Sequence, residues 1–188
     1  MNHVIYAEPE TEPVTSAEVV AHSRIDDDAA TAEATLITSY IKTVRTYVEQ
    51  FVGPIMPQLW YGYLDEWPGD DVITIGKPRV TAISRMTYYD EDDTEYVLSA
   101  DSYRLDLTDT YARIVLRENE DWPTTTLRNT NAIKILYRAG WANAAAVPAD
   151  LKTAIIVGVT YLYENRIMDN GFEKAIAPFV VNYRDWGF

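Results

Sequence analysis

Apolar residues recur every three or four positions between Asp28 and Phe51, and that spacing predicts one amphipathic helix. At 100° per residue Leu36, Ile37, Tyr40, Ile41, Val44, Tyr47, Val48 and Phe51 fall within an arc of roughly 140°. The opposite side is polar, filled by Glu33, Thr35, Thr38, Ser39, Lys42, Thr43, Arg45, Thr46 and Glu49. Gly53 accepts the left-handed conformation beyond a helix end and Pro54 cannot continue a helix, so the terminus is set near Val52. Upstream, Thr15 and Glu18 have the spacing of a capping box and predict a short helix through Ser23. Downstream, Pro148 and Asp150 open a helical run from Ala149 to Asn165 that is apolar almost all round. Such a helix must be buried on more than one side, within the fold or against a neighbouring subunit.

Between these helices the period changes. Short strand-like runs follow one another from Leu59 to Arg138. Leu59–Leu64 and Val72–Ile75, joined by Trp67-Pro68-Gly69-Asp70, predict one hairpin, and Thr81–Tyr89 with Glu95–Leu98 predict a second across the acidic turn Asp90-Glu91-Asp92-Asp93. Tyr103–Leu107, Ala112–Leu116 and Ala132–Arg138 complete a small antiparallel sheet, with Ile133, Ile135 and Tyr137 on one face by alternation. Met1–Glu12 reads as an acidic arm. Past Asn170-Gly171 the tail carries Phe172, Ile176, Phe179, Tyr183, Trp186 and Phe188, with Pro178 breaking any single helix there. So apolar a tail is expected to dock on its own domain or on a partner.

Composition narrows the possibilities. A chain of 188 residues suits one domain, or one with a small subdomain. The absence of cysteine excludes disulfides and thiolate metal sites. Neither a signal peptide nor a membrane span is expected: the start is acidic, and the longest apolar run, Ala154–Val159, is far short of the ~20 residues a bilayer needs. A net charge of -13 repels phosphate and argues against sequence-reading nucleic-acid binding.

Candidate chemistry is sparse. The only histidines are His3 and His22, and no glycine-rich phosphate loop is present. His22, near a helix end, reads as structural. Asp26, Asp27 and Asp28 precede the long helix and read as its caps, since the following Ala29-Ala30-Thr31-Ala32 lacks the glycine and oxygen ligands of a calcium loop. Trp60, Tyr61, Tyr63 and Trp67 have the chemistry to stack on sugars or bases, but cross-strand pairing is the commoner use. The acidic cluster Asp90–Glu95 is the pattern of a solvated hairpin tip. No two carboxylates stand out as an acid–base pair, so no enzyme activity, cofactor or metal is expected.

Several segments together resemble a known family. His22-Ser23-Arg24-Ile25-Asp26-Asp27-Asp28, a long helix ending Tyr47-Val48-Glu49-Gln50-Phe51-Val52-Gly53, and Gln58-Leu59-Trp60 are similar to the head–tail connector (adaptor) proteins of tailed bacteriophages and related prophages. Lys77-Pro78-Arg79-Val80 with Ile83 and Tyr88, Ile135-Leu136-Tyr137-Arg138-Ala139-Gly140, Val147-Pro148-Ala149-Asp150-Leu151-Lys152 and Tyr163-Glu164-Asn165-Arg166 continue the likeness in order and spacing, from Pro13 to about Arg166. The resemblance implies a virion structural protein. Such proteins form a ring under the portal, extend the DNA channel and give tail or stopper proteins a platform, with no sequence-specific DNA contact.

The expected architecture is α+β: a helical bundle over residues 15–53 and 148–166, an inserted antiparallel subdomain over 58–140, and a docking tail over 167–188, within one connector domain. The resemblance points the tail, through Phe179, Tyr183, Trp186 and Phe188, toward the portal. The polar face of the long helix, including Lys42, Arg45 and Glu49, is expected to meet neighbouring copies. Another phage role, as a tail-completion or stopper protein, is the alternative, with a carbohydrate-binding module or glycosidase further off.

Overall fold

A computed structural model describes residues 1–184 as an α+β protein with two compact units. One holds residues 10–56 and 141–188, the other 1–9 and 57–140.

The first is helical. Helix α1 (Ser16–Ser23) starts at the predicted box: Thr15 Oγ1 accepts from the Glu18 N–H, and Glu18 Oε2 accepts from the Thr15 N–H at 2.6 Å. It ends at Arg24, which takes the left-handed conformation with φ 53. The long helix begins one residue early and is interrupted: α2 (Asp27–Ala32) gives way at Glu33, and α3 (Ala34–Val52) follows. Asp26 caps α2 by accepting from the Ala29 N–H, as the run of aspartates predicts. The expected single helix fails at Glu33, whose φ of -107 and ψ of 17 lie off the helical values, and none of α2 is buried, so no core contact holds the two pieces in line.

Helix α4 (Ala149–Asn165) has its predicted bounds. The tail forms a further helix, α5 (Asn170–Val180), and then a 3-10 turn (Val181–Tyr183). Pro178 does not prevent α5. It sits exposed in the last turn, where a missing N–H costs one bond, while Phe172, Ile176 and Val180 bury the opposite face. Asp169 caps this helix, accepting from the Gly171 and Phe172 N–H groups. The shared core takes Val19 from α1, Ile37, Ile41, Val44 and Val48 from α3, Leu151, Ile155 and Val159 from α4, and Phe172 and Ile176 from α5. Gly158 lets α4 come close, since a β-carbon there would lie 2.7 Å from Val44 Cγ1 and 3.2 Å from Phe172 Cε2.

The second unit contains two antiparallel sheets where one was expected. Strands β1 (Asn2–Ala7), β2 (Gln58–Leu64), β3 (Val72–Pro78), β4 (Val80–Tyr89), β5 (Glu95–Val97), β6 (Tyr103–Asp106), β7 (Tyr111–Leu116) and β8 (Ile133–Ala139) arrange as β1-β2-β8-β4-β5 and β3-β7-β6. The acidic arm expected at the start is strand β1, with Ile5 opposite Trp60. The first expected hairpin does not form: β2 pairs with β1 and β8, and β3 pairs with β7. The second does, with Thr87 opposite Val97. Both sheets feed one core: Ile73, Ile75, Ala112 and Ile114 from the smaller, Met86, Ile133, Ile135 and Tyr137 from the larger. The alternation of β8 is as the sequence predicts, with Ile133, Ile135, Tyr137 and Ala139 inward and Lys134, Leu136 and Arg138 outward.

Candidate assembly surfaces

The long helix separates the three residues expected to face neighbouring copies. Lys42 is exposed. Arg45 is only 1% exposed, its Nε 2.7 Å from Glu12 Oε2 and its Nη1 2.6 Å from Glu49 Oε2. Glu49 also accepts the Ile55 N–H at 2.8 Å. Arg45 and Glu49 therefore form an internal knot tying α3 to residues on either side of it, a correction to the polar face read from the sequence. Helical geometry explains the change: at 100° per residue Arg45 lies roughly 20° from Val52, at the margin of the apolar stripe. A buried guanidinium needs carboxylates at close range, and two are supplied.

The residues assigned to the portal divide as well. Phe179 and Tyr183 are half-buried against the helical core, and the Tyr183 hydroxyl lies 3.5 Å from Asp150 Oδ2. Trp186 and Phe188 lie outside the described residues. Beside α5, Tyr47, Phe51, Glu173, Ile176, Ala177, Val180 and Arg184 line a shallow hollow of about 110 Å³. The Tyr47 hydroxyl donates to Glu173 there at 3.0 Å, and burial followed by this carboxylate raises its pKa. Tyr47 also meets the edge of Phe172, with ring centroids 5.2 Å apart.

In the β unit the aromatics mostly touch one another. Trp67 stacks on Trp122 at 4.8 Å and 8°, and meets Tyr88 edge-on at 5.7 Å. Lys77 Nζ lies 4.7 Å from the Trp60 ring centre. Tyr6 leans on Tyr61 at 4.8 Å, and Tyr61 on Tyr63 at 5.9 Å. One face of Trp67 and one of Trp60 are thus occupied by neighbours. The acidic turn organises itself: Asp90 Oδ1 accepts the Asp92 and Thr94 N–H groups and Oδ2 the Tyr96 hydroxyl, which lowers the Asp90 pKa, the Thr94 amide contributing most. In the turn after β6, the Asp106 pKa falls to about 2, held down by Thr108 and then Arg113.

The most perturbed histidine is in β1. Burial, then Lys77 and the N-terminal amine, lower the His3 pKa to about 4, and its Nδ1 lies 2.8 Å from the Tyr137 hydroxyl. This pair bonds the outermost strand to the core face of β8. Among the described residues no group of three or more histidine or acidic side chains is placed to hold a metal ion. Among the described residues no helix is long and apolar enough to cross a membrane.

The larger sheet of the β unit carries apolar surface at both ends. On β1, Val4 is 53%, Ile5 40% and Tyr6 56% exposed; on β5, Tyr96 is 40% and Val97 57% exposed. Sequence reading missed β1 because six residues with no charge beside an acidic stretch look like an arm; its β-branched and aromatic run Val4-Ile5-Tyr6 is the signal that could have marked it as a strand.

Comparison with solved structures places this architecture. The fold is shared with gene transfer agent neck chains. A chain in the neck of an empty gene transfer agent particle, computed with C6 symmetry, superposes with a TM-score of 0.80 at 19% identity, over 100% of this chain and 97% of that one. A chain in the virion of a native gene transfer agent particle matches equally, at 0.80 and 19% over the same shares. A third, from the neck of the native particle computed with C12 symmetry, gives 0.71 at 18% identity, again over 100% and 97%. No protein-family model and no curated protein matches the sequence.

Proposed function

We propose that the chain is a structural protein of the head–tail neck of a phage or phage-like particle, working as an adaptor ring under the portal. The carrying observation is the fold shared with neck chains over the full length of this chain. The ring extends the DNA channel and offers a platform to tail or stopper proteins, the role implied by the adaptor-like segments. It is built in the host cytoplasm and resides in the virion neck, and its work is positional: no catalysis, cofactor or metal is assigned to it.

Within that reading Lys42 faces a neighbouring copy, while Arg45 and Glu49 support the helix from inside. The open sides of Phe179 and Tyr183, with Trp186 and Phe188, meet the portal. Carboxylates turned to the lumen keep the passing duplex from adhering, since like charges repel within a Debye length of about 8–10 Å.

Native mass spectrometry with negative-stain imaging, on the protein alone and mixed with the portal protein of its own particle, tests the proposal. A closed ring in either sample is the expected result. A monomer that also ignores the portal overturns it. Because Phe179 and Val180 pack on the helical core, removal of residues 185–188 is a cleaner test of the tail than a cut at Pro178. That truncation is expected to weaken portal binding without unfolding the helical unit, and unchanged binding refutes the tail's assignment.

A further inference from the structure

The outermost strands of the five-stranded sheet are β1, apolar with one register irregularity between Ile5 and Ala7, and β5, three residues long with Glu95 at its start. Among the described residues β1 is paired only with β2 and β5 only with β4. Edge strands of stable monomers normally carry lysine, proline or inward charge that blocks pairing with another chain. Asn2–Ala7 has neither proline nor any lysine, arginine, aspartate or glutamate, and instead exposes Val4, Ile5 and Tyr6. Strand β5 exposes Tyr96 and Val97.

The two edges are complementary in three respects. In direction, each of the four strand pairs from β1 to β5 is antiparallel, so β1 and β5 run the same way at opposite ends of the sheet. In face, Ile5 opposes Trp60 and Tyr96 opposes Tyr88, all on the core side, whereas Val4 opposes Tyr61 and Val97 opposes Thr87 on the other. In charge, β5 begins with Glu95 and follows Glu91, Asp92 and Asp93, while the β1 side has no acid from Met1 to Ala7 and has Lys77 over Trp60, the partner of Ile5.

We propose that the β5 edge of one copy joins the β1 edge of the next, head to tail and in parallel, so that the sheet continues from copy to copy. Val97 then lies against Val4 and Tyr6, and Tyr96 against Ile5. A head-to-tail contact uses two different patches and closes into a ring when the rotation per copy allows, and each copy in the ring makes it twice. The inference rests on the ring reading above and names the surface that builds the ring.

The absence of cysteine gives a silent background for cross-linking. Val4→Cys or Tyr6→Cys, each combined with Val97→Cys, is treated with a short bismaleimide, alone at high concentration and with the portal protein, while imaging records whether rings are present. Rings with a denaturant-resistant ladder of trimers and larger species, absent from the single-cysteine variants, are the expected result. Rings without a ladder, or dimers from a single-cysteine variant, overturn edge pairing and leave the ring reading intact. No rings in either sample overturns the ring reading and this inference with it.

Discussion

The helical unit exposes apolar residues only beyond α4 and α5, at Ile167, Met168 and Val181 among the described residues, whereas the β unit exposes Val4, Ile5, Tyr6, Tyr96 and Val97 along the two edge strands of its larger sheet. In the first, α5 covers the core with Phe172, Ile176 and Val180, and the buried Arg45 is neutralised inside by Glu12 and Glu49. In the second, the core between the two sheets is sealed, yet the larger sheet ends in strands whose backbone and side chains face water. Helices satisfy their backbone internally, whereas a sheet that is not closed leaves an unpaired edge at each end.

The contrast is most directly broken at Arg45. Arg45→Ala leaves two carboxylates in a poorly solvated site and is expected to cost about 3–5 kcal/mol, read by urea unfolding followed through helical circular dichroism. The triple variant Arg45→Met, Glu12→Gln, Glu49→Gln is expected to recover most of that loss; failure to recover would show that the knot does more than neutralise charge. Gly158→Ala comes next. Its methyl group would press on Val44 Cγ1 at 2.7 Å, and about 1–3 kcal/mol of overpacking is expected from the same unfolding measurement.

In the β unit, His3 predicts a smaller, pH-dependent effect, weakened because the ring is about half open to water. Its folded pKa of about 4 lies below the 6.5 of a free histidine, so the unfolded chain takes up a proton first as the medium acidifies. The stability held by neutral His3 is complete above about pH 6.5 and is lost as pH falls toward 4. His3→Gln is expected to flatten the Tm-against-pH curve over that window, and an unchanged slope would sink this account. Last, Val4→Lys is expected to shift folding stability by no more than about 0.5 kcal/mol, as exposed substitutions do. The same change raises the concentration needed for ring assembly if the β1 edge is the joint, and an unaltered assembly curve argues against it.

Periodicity and caps made the helices legible: the Thr15–Glu18 box and the Ala149–Asn165 span are where the pattern puts them, because helical contacts are local. Strand positions other than β1 were legible for the same reason, and the β4–β5 hairpin because its turn is short. Pairing was not. Whether β2 meets β3 or reaches across to β8 and β1 depends on contacts more than fifty residues apart, which no local pattern encodes. The candidate surfaces suffered likewise: a helical wheel counts Arg45 as polar and so outward, while Glu12, thirty-three residues earlier, draws it inside.

By itself, then, the sequence determined the α+β composition, the bounds of α1 and α4 and the inward face of β8, since these follow from spacing along one stretch of chain. Only the tertiary structure decided that Met1–Pro9 belongs to the β unit, that the strands divide into two sheets, and that Arg45 is internal while β1 and β5 stand open. Those outcomes are set by which distant segments exclude water from one another, a property of the folded chain as a whole.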